Sequence, residues 1–182
     1  MSLSPNRIRD CIGLQAPIQE LWSFFSVASN LATLTPPSQR LRVGKGGDQP
    51  IADGLTVHIS VSPMWPIRSG WKTLIQQVQP PSAAFDGDGW FTDIQRSGPF
   101  ALWHHVHAFR PIPGGTAVFD RVDYALPLGR LGQACAGRWV QGQIDDLFAY
   151  RKQALTARFG ALDLPEALAQ GWEREWDATE RA

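Results

Sequence analysis

The chain is poor in cysteine: Cys11 and Cys135 are the only two, far apart and without the close pairing of a zinc or redox motif, so both read as structural thiols. It also lacks an excess of charge of either sign. Lys and Arg together number 17 and so do Asp and Glu, which leaves no field to attract a phosphate backbone or an anionic membrane surface, and nucleic acid is not an expected partner. No run of about 18 apolar residues exists, so no integral membrane segment is expected. Arg7, Arg9 and Asp10 interrupt the place where a signal peptide would be apolar, and the expectation is a cytoplasmic protein. A phosphate loop, a glycine-rich dinucleotide fingerprint and a GxSxG elbow are all missing, which leaves nucleotide chemistry and serine hydrolysis without their required residues. No cofactor is implied.

What is present is an ordinary globular composition, 43% hydrophobic and 19% charged over 182 residues, with eight Trp standing out. Large amphipathic rings in that number suit cores, cavities and interfaces. The length suits one domain with a substantial core, placed at residues 1–160, followed by a tail at 161–182.

Residues 7 to 14 alternate loosely and read as a first strand. Pro17 opens a helix carrying Ile18, Leu21, Trp22 and Phe25, and Asn30, Leu31 and Leu34 suggest a second short helix stopped by Pro36 and Pro37. From there to Pro127 the period is two. Strands are expected around Leu55 to Val61, Trp71 to Ile75, residues 83 to 95, 99 to 110 and Thr116 to Leu126, with Pro113, Gly114 and Gly115 turning the last pair into a hairpin. After LPLGRLG, the residues Leu131, Cys135, Trp139, Ile144, Leu147, Phe148, Leu155 and Phe159 follow helical spacing over about 30 residues. Gly137 and Gly142 inside this helix suggest a close approach or a bend. The tail places Trp172 and Trp176 one turn apart in a possible short helix.

The order strand, two short helices, six strands and long helix, with the segments LWSFFSVASNLATLTPP, WKTLIQQVQPP, GPFALWHHVHAFRPIPGG, DRVDYALPLGRLG and IDDLFAYRKQAL, resembles the SRPBCC superfamily of START-like and polyketide-cyclase-like helix-grip proteins. The likeness is nearest to a bacterial subgroup whose domains also occur fused to nucleotide-sugar epimerases or carry a cell-division-inhibitor label. It implies an α+β fold: a curved antiparallel seven-stranded sheet wrapped around the long C-terminal helix, enclosing a cavity for an apolar molecule. Neither epimerase nor division-inhibitor activity follows from a fold. Two stretches, SPMWPIRSG and PPSAAFDGDGWFTDIQ, are longer than the pattern, which leaves the strand register near both unassigned.

Alternation sorts the strands into two faces. Trp103, His105, His107 and Phe109 share the inward one, and on the next strand Val118, Asp120, Val122, Tyr124 and Leu126 do, with Phe119, Arg121, Asp123 and Ala125 outward. His58 and His104 are expected at the surface. The hairpin sets Asp120 opposite His107, or opposite His105 after a two-residue shift, close enough for a His and an Asp to touch. The family pattern adds Phe91, Asp93 and Gln95 to the inner wall. Trp71, Thr73 and Phe148 complete the expected ligand-binding set, although residues such as Phe148, Trp22 and Phe25 are more often plain core than ligand wall.

Two uses of these groups stay open. His105 or His107, oriented by Asp120, could act as a general acid or base of cyclase, dehydratase or isomerase type. The same groups could instead satisfy one another inside a passive binder of a small hydrophobic or aromatic molecule, and binding is the preferred reading. A metal set of His104, His105, His107 and Asp120 is disfavoured, because neighbouring His residues point to opposite faces and at most two His and one carboxylate look inward. A third reading gives the Trp-bearing tail a protein partner.

Overall fold

The computed structural model describes residues 5–64, 67–85, 87–165 and 168. Along the chain they form β1 (Asn6–Leu14), α1 (Ile18–Phe25), β2 (Arg42–Val43), β3 (Thr56–Met64), β4 (Ile67–Gln79), β5 (Gly89–Ser97), β6 (Leu102–Ile112), β7 (Gly115–Ala125), α2 (Gly129–Phe159) and β8 (Ala161–Leu162). The strands pair antiparallel in one sheet of order β2-β3-β4-β5-β6-β7-β1-β8, which the long helix α2 crosses on the side of α1. This is the α+β helix-grip arrangement. No described helix is long and apolar enough to cross a membrane.

The sheet has eight strands among the described residues, one more than expected. Gly160 ends α2 at a φ of 77°, a left-handed value that glycine adopts without penalty, and the chain then turns back so that Ala161 and Leu162 pair with Leu14 and Gly13. A Cβ on Gly13 would collide with the Leu162 carbonyl oxygen, so glycine there permits the approach. The possible terminal helix with Trp172 and Trp176 lies outside the described residues.

Two local elements depart from the periodic reading. The second short helix is a 3₁₀ turn at Ala28–Thr33 with none of its residues fully buried. Its polar side chains bond nearby backbone, Asn30 Nδ2 donating to Phe24 O at 2.7 Å and Thr33 Oγ1 to Asn30 O at 2.7 Å, which competes with α-helical bonding. The strand expected over 83 to 95 begins only at Gly89, after a 3₁₀ turn at Ala83–Phe85. Register shifts in β3 between Val61 and Met64, and again in β4 between Gln76 and Gln79, where Gln77 takes a φ of 53°. Such bulges bend a sheet, here around the helix.

The helix buries one stripe, Gly137, Ile144, Phe148, Arg151, Leu155 and Phe159, at successive spacings of three, four and seven. Its first turns are not on that stripe: Leu131 is 64% exposed, Cys135 is exposed and Trp139 is 48% exposed. Gly142 has nothing near the place a Cβ would take, so close approach does not explain it. On the inner face Phe109, 1% exposed, packs edge-on against Phe25 and Trp22, and burial of this kind contributes about 1.5–3 kcal/mol per large side chain. The outward residues of β7 are buried too. Phe119 clusters with Ala108 and Ala117 on that face, and Leu164 and Leu168, from the segment after β8, lie against them. His58 and His104 are half-buried rather than exposed.

Candidate functional site

The β6–β7 register puts His107 opposite Asp120, His105 opposite Val122 and Trp103 opposite Tyr124, while β5 puts Asp93 opposite His105 and Phe91 opposite His107. Alternation turns Asp93, both imidazoles and Asp120 to the same side. From the helix, Arg151 reaches the same point. The resulting cluster is compact: His105 and His107 have ring centroids 3.8 Å apart, and Phe91 stacks on His107 at 4.4 Å.

Asp120 Oδ1 lies 2.8 Å from His105 Nε2 and 2.9 Å from His107 Nδ1, with Arg151 Nη2 3.6 Å away. A carboxylate only accepts, so both imidazoles present N–H to it. Asp93 Oδ2 lies 3.2 Å from His107 Nε2 and 3.5 Å from His105 Nδ1, and Asp93 Oδ1 accepts from Thr73 Oγ1 at 3.1 Å.

Burial works against the charge on Asp120, yet the Arg151 guanidinium and the two imidazole hydrogen bonds hold its carboxyl well below the usual range. Asp93 is likewise lowered, against burial, by the His107 bond and the nearby charges. The two imidazoles diverge. Burial, and then the charge on His107, push His105 down to about 4, whereas for His107 the bonds to Asp120 and Asp93 outweigh burial and raise it. Of the two imidazoles His107 is therefore the easier to charge, with a carboxylate at each of its ring nitrogens.

This cluster forms one end of a cavity of about 430 Å³ between the sheet and α2. Of the residues expected to bind a ligand, Trp71, Thr73, Phe91, Asp93, Trp103 and Phe148 line it, together with His105 and His107. Asp120 stands behind the imidazoles. Gln95, Phe109, Val122 and Tyr124 do not line it. The Gln95 amide donates to Phe100 O at 2.6 Å and accepts from Phe100 N at 3.3 Å, closing the β5–β6 turn. Phe109 and Val122 are fully packed core, and Tyr124 donates its hydroxyl to Gln141 Oε1 at 2.7 Å. Sequence reasoning missed Arg151, whose place in the helical stripe was the available signal. Two wall residues carry buried donors without partners, Trp71 Nε1 and Arg151 Nε. Among the described residues Asp93, His105 and His107 form a metal-capable group, with Asp93 rather than Asp120 as its carboxylate and without His104. A larger and shallower depression, about 870 Å³ around Pro17, Pro81 and Gly114, contains none of these groups.

No family model and no curated protein matches the chain. Solved structures do. A START superfamily protein from Mycobacterium smegmatis superposes with a TM-score of 0.59 over 86% of this chain and 97% of its own, at 13% identity. The Zhui aromatase/cyclase from a Streptomyces species gives 0.59 over 85% and 93%, at 10% identity. A nucleoside-diphosphate sugar epimerase from Corynebacterium glutamicum gives 0.57 at 24% identity over 81% of this chain, which spans only 28% of that protein. At these identities the likeness is one of fold, and the fold is the START-like helix grip.

Proposed function

We propose that this START-like chain binds a small hydrophobic or aromatic molecule in the cavity between sheet and helix, with the charged cluster receiving the guest's polar end. The observation that carries the reading is the cavity itself. Its volume of about 430 Å³ falls inside the roughly 300–1,000 Å³ of small-molecule sites, and its wall is mainly apolar with the charged cluster among its lining. Trp71, Trp103, Phe91 and Phe148 offer ring faces and edges to an apolar body. Arg151 Nε and Trp71 Nε1 are donors that a guest's oxygen atoms would satisfy, and a buried donor left alone costs about 1–3 kcal/mol.

Anilinonaphthalene sulfonate, an aromatic body with an acidic head, is a suitable probe. The native protein should bind it saturably with fluorescence enhancement, and Ile59→Trp, which fills the cavity from β3, should weaken that binding at least tenfold. Equal binding by the filled variant would remove the reading. Extraction of the purified protein followed by mass spectrometry should also release a co-purifying apolar molecule.

A second reading is favoured by the ordered imidazole pair at the cavity end: turnover of a guest carbonyl or hydroxyl, of the cyclase, dehydratase or isomerase type. Loss of turnover in His105→Ala and His107→Ala with retained guest affinity supports it, and unchanged turnover removes it.

A further inference from the structure

Three side chains at the polar end of the cavity aim acceptor atoms at one point. His107 Nε2 and His105 Nδ1 lie 3.2 Å and 3.5 Å from the same oxygen, Asp93 Oδ2, and the ligand atoms of all three residues fall within 4.8 Å of one another. Donor atoms bound to one metal ion at about 2.1 Å are held roughly 3.0–3.4 Å apart in octahedral or tetrahedral geometry, close to these separations.

The far side of each residue is already engaged. His105 Nε2–H and His107 Nδ1–H both donate to Asp120 Oδ1, and Thr73 Oγ1–H donates to Asp93 Oδ1. Arg151 Nη2 stands 3.4 Å from His107 Nδ1, but the carboxylate contact at 2.9 Å is shorter and decides that this nitrogen carries the proton. His105 Nδ1 then faces Asp93 as a lone pair, and a metal ion would take the place of the proton through which His107 Nε2 bonds Asp93 Oδ2, releasing it and leaving both inner nitrogens as ligands. Outer partners that fix tautomer and ring orientation in this way are what metal-ligating histidines require.

We propose that Asp93, His105 and His107 bind one divalent first-row transition metal ion, of the zinc or ferrous iron class, with open coordination positions toward the apolar cavity. Two imidazoles and one carboxylate suit such ions. The set lacks the thiolates that select copper(I) and the oxygen cage that calcium and magnesium demand. Three protein ligands leave room for a water or a guest oxygen, as in sites that do chemistry rather than closed structural ones. The proposal does not rest on guest binding, which the sulfonate probe measures separately.

The test uses full-length, untagged protein dialysed against chelator and titrated with cobalt(II) or zinc(II) chloride by calorimetry. One equivalent should bind. The cobalt form should show visible d–d bands and two hyperfine-shifted imidazole N–H proton signals, one from each histidine. Asp120→Asn, which removes an orienting partner, should weaken affinity roughly 10–100-fold, and Asp93→Asn and His107→Gln should weaken it further. His58→Gln and His104→Gln should leave it unchanged. Absence of saturable uptake, or uptake by Asp93→Asn and His107→Gln equal to the native protein, overturns the site. Should those variants fail to fold, the wild-type cobalt spectrum decides alone, and the lack of the two shifted signals overturns it.

Discussion

Asp120 and Asp123 occupy the same strand, face opposite sides of the sheet, and each sits beside arginine. Outside, Arg7 grips Asp123 through Nε at 2.6 Å and Nη2 at 3.2 Å, one nitrogen to each oxygen, and Arg121 Nε adds a contact at 3.4 Å. Each oxygen of Asp123 thus has an arginine nitrogen within 3.4 Å. Inside, Asp120 is shared by two imidazoles and one guanidinium, and beyond the imidazoles lies another carboxylate with no proton available for each gap. A buried ion pair is therefore weak evidence of function. The sign to look for is an imbalance of donors and acceptors beside open space, and the inner face has it.

The largest expected effect breaks the inner arrangement. Asp120→Ala leaves Arg151, 6% exposed, without its carboxylate and both outer imidazole protons unmatched, and removing one partner of a buried pair costs about 3–5 kcal/mol. Urea denaturation measures it. A loss under about 1 kcal/mol would place Asp120 with ordinary surface pairs and erase the contrast.

A smaller effect concerns pH in the metal-free protein. His105, lowered from 6.5 to about 4, contributes stability that is complete above 6.5 and is lost as pH falls toward 4. His107, raised above 6.5, contributes in the opposite sense: its stabilisation is complete below 6.5 and is lost as pH rises through its folded value. Between 6.5 and 4 only the His105 contribution changes, and above 6.5 only that of His107. Below the ordinary carboxylate value of 3.8, where Asp93 and Asp120 are held ionised only by folding, stability should fall steeply. Imidazole NMR should resolve one ring titrating above 6.5 and one near 4, and His105→Gln should remove the loss between 6.5 and 4 seen by thermal melting. The assigned rings of His105 and His107 titrating together near 6.5 would contradict the divided environment.

Much of the inner face was readable because period-two alternation survives along β6 and β7, and the turn at Pro113 and Gly114 sets their register without a bulge. His105, His107 and Asp120 follow from that alone. Asp93 required the family pattern, since β4 and β5 carry register shifts that no alternation reveals. Gln95 shows a different limit: a residue on the inner phase of a strand can spend its amide on the adjoining turn. Arg151 sits where a helix normally shows charge to water, and its place on the stripe with Ile144, Phe148 and Leu155 was the one hint of burial. β8 is two residues long, too short for any period. The outer burial of Phe119 depends on Leu164 and Leu168, whose return over the sheet has no local sequence mark.

The sharpest control is the variant expected to do least. Arg7 is 39% exposed at its side chain, so much of its attraction to Asp123 is screened by water, and ordering a long side chain costs entropy in return. Its bidentate geometry places it at the upper end of the exposed-pair range, about 1 kcal/mol. Asp123 is not orphaned by Arg7→Ala, because Arg121 Nε remains 3.4 Å away, so the desolvation penalty that makes Asp120→Ala costly does not arise. Arg7→Ala should therefore shift the urea midpoint slightly, leave sulfonate-probe and cobalt binding unchanged, and lose part of its effect in high salt. A cost matching that of Asp120→Ala, or any change in cavity binding, would mean that the two faces of β7 are coupled through the strand.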